Sequence, residues 1–113
     1  MKMSLPNDYY ELENKYGYAI LEKGDEKEDR QGIVFLDTLS IEKTFQGKGY
    51  GGILLENILD EAFDFGYKKV IVHARPLEDD NRQNDLIRFY KKHGFIKSKN
   101  YLSFIGIYME YDL

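Results

Sequence analysis

The chain has 113 residues, a net charge of −4, ten tyrosines, two histidines and no cysteine, which makes it one domain, 1–113, with one modest core. The lack of cysteine excludes disulfides, thiol nucleophiles and Cys–zinc sites, two histidines twenty residues apart make no metal site, and the acidic balance disfavours nucleic acid and suits a cationic substrate. No apolar run approaches the roughly 20 residues of a membrane span and the N-terminus has no signal-peptide core, so no membrane partner and a cytoplasmic location are expected.

In chain order, Asp8–Glu13 and Tyr16–Glu22 read as two short strands joined at Asn14-Lys15. Tyr16, Tyr18 and Ile20 alternate with Gly17, Ala19 and Leu21, which leaves the two faces poorly distinguished. The charged run Lys23–Gln31 reads as a solvated hairpin tip, with an acidic docking patch as the alternative. Ile33–Ile41 is the central strand, apolar on both faces near its start as in a strand covered on both sides. Asp37 is its odd residue. A carboxylate in a buried strand is paired or faces a functional cleft, so a bond to loop amides or solvent stands beside a catalytic role.

Next comes Gln46-Gly47-Lys48-Gly49-Tyr50-Gly51-Gly52. Glycine admits positive φ and lets a ligand approach bare amides. The first helical turn has unpartnered N–H groups and a dipole that favours anions. Strand, glycine turn and helix start together suit a phosphate. A plain connection is disfavoured, because glycines inside a helix cost about 0.5–1 kcal/mol each. Gly47, Gly49 and Gly52 also spell G-x-G-x-x-G, but a dinucleotide site needs a carboxylate after the next strand, and that strand ends His73-Ala74-Arg75. No P-loop Gly-Lys-Ser/Thr follows.

The spacing of Leu55, Ile58, Leu59, Ala62 and Phe65 predicts a helix over Tyr50–Phe65, closed by Gly66. Lys69–Ala74 is the following parallel strand, and ligands of open α/β sheets bind at the carboxyl ends of such strands. His73 lies there, as a neutral proton acceptor near pH 7 or as a hydrogen-bonded strand histidine. Pro76–Arg82 reads as an acidic loop. A helix from Gln83 to His93 follows, with Leu86, Phe89 and Tyr90 inside and Gly94 at its end. Asn100, Tyr101 and Ser103 form a loop, and Phe104–Tyr111 is a closing strand.

Gln46-x-x-Gly49-x-Gly51 resembles the pyrophosphate loop of the GNAT superfamily, the acyl-CoA-dependent N-acyltransferases. The resemblance runs from about Gly32 to Leu113 through a second signature, Leu86-x-x-Phe89-Tyr90-Lys91-Lys92-His93-Gly94-Phe95, and the terminal strand Gly106–Leu113. It implies an α+β, three-layer fold. The sheet is mixed, twisted and mostly antiparallel, with a central parallel strand pair splayed around the cofactor and helices on both faces. It implies acetyl-CoA as acyl donor and no metal. The amides of Gln46, Gly47, Lys48, Gly49, Tyr50, Gly51 and Gly52 would hold the pyrophosphate, and Leu39, Ser40 and Ile41 would pair with the pantetheine arm. Gln83, with Asn84 beside it, falls where members carry a cofactor-binding asparagine.

Tyr90 matches the tyrosine that protonates the departing thiolate, with a core tyrosine as the structural alternative. His73 falls at the position of a glutamate base used by some members. Phe35 stands where others carry a glutamate base, which leaves His73, Asp37 or a water chain to deprotonate the amine. Lys43 replaces the family's common proline. Only about thirty residues precede the central strand, where typical members place a strand and two helices that roof the acceptor site. An open site implies a large acceptor, such as a protein lysine or N-terminus, or completion by another subunit in a homodimer. The expected function is direct acetyl transfer to a primary amine. A non-catalytic acyl-CoA sensor and an interaction module are the alternatives.

Overall fold

The structure is a computed structural model that describes residues 4–74, 81–101 and 107–113, the side chains of 81–84 excepted. The elements are β1 (Tyr9–Asn14), β2 (Gly17–Lys23), α1 (Glu26–Arg30), β3 (Ile33–Ile41), a 3-10 turn (Lys43–Phe45), α2 (Tyr50–Asp64), β4 (Lys69–Ala74), α3 (Asn81–Lys92), β5 (Ile96–Lys97) and β6 (Ile107–Asp112). They form one sheet in the order β1-β2-β3-β4-β6-β5. Only β3 and β4 run parallel among its paired strands.

Strand alternation sorts the sheet into two faces. The inner face carries Ala19 and Leu21 of β2, Val34 and Leu36 of β3, Val70, Val72 and Ala74 of β4, and Met109 of β6, all buried in the core cluster. Leu54, Leu55, Ile58, Leu59 and Ala62 of α2 fill that face. Tyr90 of α3 and Phe95 join them. On the outer face, α1 and Tyr101 cover Phe35. Tyr101 meets the Phe35 ring edge-on at 5.7 Å, and its hydroxyl donates to Glu28 of α1 at 2.6 Å.

Both long helices end in the same device. At Gly66 (φ 93°), the Tyr67 N–H bonds the Ala62 carbonyl and the Gly66 N–H bonds that of Phe63. At Gly94 (φ 97°), the Phe95 N–H bonds the Tyr90 carbonyl at 3.0 Å and the Gly94 N–H bonds that of Lys91. These are Schellman closures, which satisfy orphan carbonyls and bring the residue after the glycine onto the last turn. Phe95 accordingly packs on Tyr90, ring centroids 5.2 Å apart. Tyr90-Lys91-Lys92-His93-Gly94-Phe95 is thus a helix stop that fixes where Tyr90 sits.

Four local features depart from the sequence reading. The charged run after Lys23 holds α1, where Asp25 accepts from the Glu28 N–H and the Glu28 side chain accepts from the Asp25 N–H. That capping box is legible as Asp-x-x-Glu, but a five-residue helix without an apolar stripe escapes a periodicity test. The helix α3 starts at Asn81, two residues early, and β5 was not expected. Asp37 is exposed rather than buried within its strand. The start of the expected Phe104–Tyr111 strand and most of the Pro76–Arg82 loop lie outside the described residues.

Candidate active site

The parallel pair is the origin of the site. β3 and β4 pair from Ile33↔Lys69 through Leu36↔Val72, and no further. Beyond that rung β3 stays with β2 as far as Gly17↔Ile41, while β4 stays with β6 through His73↔Tyr108 and Ala74↔Ile107. Each strand follows its other neighbour, so the pair splays. The divergence starts at a β-bulge: Leu21 pairs with Leu36 and Ile20 with Thr38, which leaves Asp37 as the extra residue. Bulges bend a strand and re-aim side chains, often beside active sites.

A cleft of about 710 Å³ opens there, within the size range of small-molecule sites. The expected residues Asp37, Leu39, Ser40, Ile41, Gln46, Gly51, His73 and Tyr90 all line it. Thr38, Val72, Asp85, Leu86 and Phe89 line it too. Thr38 and Asp85 had no signal in the sequence. Gly47, Lys48, Gly49, Tyr50 and Gly52 lie in or beside the loop that continues from the cleft, outside its lining. The backbone of Gln83 and Asn84 belongs to α3, and their side chains lie outside the described residues.

The loop is shaped for backbone donors. Gly47 and Gly49 adopt φ 77° and 88°, and a Cβ at either would touch nothing, so conformation and not crowding requires glycine there. Gly49 is the N-cap of α2, and the first turn of α2 contains no carboxylate. An anion placed at its N–H groups would therefore meet no competing negative charge from that turn. Gly51 and Gly52 sit against neighbouring side chains instead. A Cβ on Gly51 would sit 3.6 Å from Phe89, and one on Gly52 would sit 2.7 Å from the His93 ring. The first is ordinary contact and the second is a clash, so Gly52 lets the start of α2 lie against His93, one residue past α3. The Gln46 side chain donates to the Ile41 carbonyl at 2.9 Å, tying the loop to the end of β3. Tyr16, from the β1–β2 turn, stacks on Tyr50 at 3.6 Å and meets Phe45 edge-on at 4.9 Å, bracing the same loop.

The titratable groups approach from opposite faces. Tyr90 comes from the inner face, 6% exposed, with no hydrogen-bond partner for its hydroxyl among the described residues. Burial pushes its phenol up to about 12. His73 alternates with Val72 and so lies on the outer side, where it stacks on Tyr108 at 4.4 Å and 18°. Asp37 accepts from the Thr38 hydroxyl at 2.9 Å.

A raised phenol means that the neutral form favours the fold. That contribution is complete below the unfolded value near 10 and is lost as pH rises through about 12. A phenolate absorbance titration should therefore show Tyr90 in a late group, together with Tyr67 and Tyr101, whose values are also raised by burial. Tyr90→Phe should remove one tyrosine from that late group. Its removal from the early group would contradict the burial.

The profile of the acetyltransferase (GNAT) family matches residues 8–95. The chain belongs to the GNAT family. The match begins earlier than the motifs alone reach, at the start of β1, and ends at Phe95. Solved structures repeat this fold. The anti-CRISPR protein AcrVA5 is similar with a TM-score of 0.71 and 22% identity, over 93% of this chain and 99% of that one. A GNAT family acetyltransferase from Elizabethkingia anophelis with acetyl-CoA bound gives 0.66 and 20%, over 87% of this chain and 69% of that one. The PaiA N-acetyltransferase from Thermoplasma acidophilum in complex with coenzyme A gives 0.64 and 16%, over 87% and 54%. The expected GNAT-like sheet is thus the observed one. This GNAT chain spans nearly all of the first of these structures and little more than half of the last. No curated protein sequence matches it.

The site fits a coenzyme A thioester. It offers a strand edge at 37–41 that, among the described residues, pairs with no strand on the β4 side, glycines at 47 and 49 whose Cβ positions are open, and a helix start free of carboxylates.

Proposed function

We propose that this chain transfers the acetyl group of acetyl-CoA directly to a primary amine, and that the amine is a lysine or N-terminus of a protein. The observation that carries the reading is the splay of β3 from β4 after Leu36 and Val72, with the glycine turn at one end and Tyr90 in its wall. The amides of residues 47–52 would hold the diphosphate, and Leu39, Ser40 and Ile41 would pair with the pantetheine arm as an added strand. When bound, acetyl-CoA supplies an activated acyl thioester.

The chain's own residues then have three tasks. Backbone N–H groups of the 37–41 edge polarise the carbonyl as an oxyanion hole would. A base on the outer side, His73 or Asp37 directly or through water, takes the proton that the amine loses as its nitrogen bonds the acyl carbon. Tyr90 donates a hydrogen bond from its phenol to the sulfur as the C–S bond breaks, and the thiolate takes up the proton that the amine has lost. The transfer is direct, for the sequence has no cysteine to carry a covalent acyl-enzyme intermediate. The large acceptor is favoured because, among the described residues, no helix covers the outer face of β1 and β2 beside the cleft. The proposed setting is the cytoplasm. Among the described residues no helix is long and apolar enough to cross a membrane.

Titration calorimetry with coenzyme A, followed by thiol release from acetyl-CoA over a panel of polyamines, amino acids and lysine peptides, tests the reading. Binding tighter than about 1 mM, roughly −4 kcal/mol, and amine-dependent thiol release are expected. Binding without release to any amine would make the chain a sensor. No binding would overturn the cofactor site itself.

A further inference from the structure

We infer that the outer face of β1 and β2 is the docking surface for the acceptor, and that the acceptor is a lysine within a basic protein segment. This rests on the acetyl-transfer reading and names its substrate class. The register places six side chains on that face in cross-strand pairs: Tyr9 with Glu22, Glu11 with Ile20, and Glu13 with Tyr18. Their strand neighbours Tyr10, Leu12, Ala19 and Leu21 turn inward to the core. The face is not covered, for Tyr9 is 61% and Tyr18 37% exposed. Elsewhere the outer face has a cover or an internal partner. Phe35 lies under α1 and Tyr101, and Lys69 bonds Glu110 at 3.1 Å.

Its charge is one-sided. Three of the six side chains are carboxylates and none is a cation. Among the described residues, no ion pair or hydrogen bond engages the side chains of Glu11, Glu13 or Glu22, whereas those of Glu110 and Asp112 on β6 are paired with Lys69. Glu11 and Glu13 stand two apart on one strand, on the same face, and repel. A cation lying between them relieves that repulsion. The two tyrosines add apolar faces and hydroxyls beside the acids, suited to aliphatic stems that end in charge.

The surface is also continuous with the cleft. Across β2, Tyr18 pairs with Ser40 and Ile20 with Thr38, and both Thr38 and Ser40 line the cleft beside exposed Asp37. Two strand spacings, about 10 Å, separate β1 from β3. An extended peptide covers that distance in about three residues. Arginine or lysine three or so positions from the acetylated lysine would therefore meet Glu11 and Glu13, while the acceptor amine enters the cleft past Thr38 and Ser40.

The test compares a lysine peptide flanked by arginines at that spacing with the same peptide flanked by glutamates. Wild-type protein should prefer the basic peptide by about tenfold in kcat/KM, carried by KM, with the preference shrinking as salt rises. Glu11→Lys with Glu13→Lys should abolish or invert the preference. Coenzyme A binding and acetylation of a small amine should stay unchanged. A control pair on the far side of α2, Glu56→Lys with Asp60→Lys, alters net charge equally and should keep the preference. Equal turnover of both peptides by the wild type, or a preference surviving in the Glu11/Glu13 variant, would overturn the surface. Peptide anisotropy on the coenzyme A-loaded protein separates the two readings. Basic-peptide binding without transfer to any amine sinks the acyltransferase reading and leaves the surface standing.

Discussion

Tyr90→Phe should lower kcat by about 10²–10³-fold, a loss of about 2.7–4 kcal/mol of transition-state stabilisation, while leaving the KM for acetyl-CoA and the melting temperature unchanged or slightly raised. The two halves of this expectation come from one observation. The ring is buried against Phe95 and Phe89, but the hydroxyl has no partner among the described residues. A hydroxyl that opens on the cleft and makes no hydrogen bond within the protein adds little to the stability of a fold. Phenylalanine keeps the packing and discards only the group that would meet the sulfur.

The environment of Tyr90 also decides what its proton can do. A thiol has an ordinary value near 8.5, whereas burial holds this phenol up at about 12. Full transfer from phenol to thiolate would run uphill by about three units, or about 4–5 kcal/mol. Tyr90 is therefore suited to a strong hydrogen bond on the charge that develops at sulfur, with the acceptor's own ammonium proton completing the balance. The kcat profile should accordingly show no loss assignable to Tyr90 below the alkaline limit of the fold. A basic limb near pH 9 that disappears in Tyr90→Phe would show instead that the phenol is acidified and transfers its proton outright. Normal turnover by the variant would remove Tyr90 from the chemistry and leave it a core side chain.

What the sequence disclosed follows from how local each feature is. The glycine turn, the helix after it and the Tyr90-to-Phe95 stop are all set by residues within one or two turns of each other, and all were legible. The inner and outer faces of β2 were not, because Gly17, Ala19 and Leu21 against Tyr18 and Ile20 give no clear hydrophobic contrast until α2 is seen to lie on the first set. The bulge at Asp37 exists only as a relation between strands: nothing in Ile33–Ile41 marks a residue whose neighbour on β2 is missing. The side of the sheet from which His73 enters depends on the β4–β6 register in the same way. Gly51 and Gly52 were read as part of a ligand cradle. The contact at Gly52 adds a second cause, since the His93 ring, one residue past α3, occupies the space of its Cβ, whereas Gly51 has room for one.

Gly17 shows how far from the chemistry the site can be broken. It had no functional signal, lying at the start of a short strand. A Cβ there would stand 2.0 Å from the Ser40 carbonyl oxygen and 2.9 Å from the Ile41 Cα. Both are backbone atoms of the neighbouring strand, so no rotamer change relieves the clash. Gly17↔Ile41 is the last rung of β2–β3, and the strand end must lift if the rung is forced apart. Overpacking of this kind costs about 1–3 kcal/mol, and each kcal/mol shifts the midpoint of a domain near this size by about 4–8 °C. The same movement displaces Ser40 and Ile41 from the cleft wall and pulls the Ile41 carbonyl away from Gln46, which anchors the glycine loop. Gly17→Ala should therefore lower thermal stability and weaken coenzyme A binding together, by about tenfold or more. The binding loss should persist at temperatures where the variant is fully folded. Gly47→Ala is the useful contrast, because its Cβ meets nothing and the cost is the positive φ alone. If Gly17→Ala melts early yet binds coenzyme A normally while folded, the end of β3 is not part of the cofactor's wall, and the splayed strands serve the fold without serving the site.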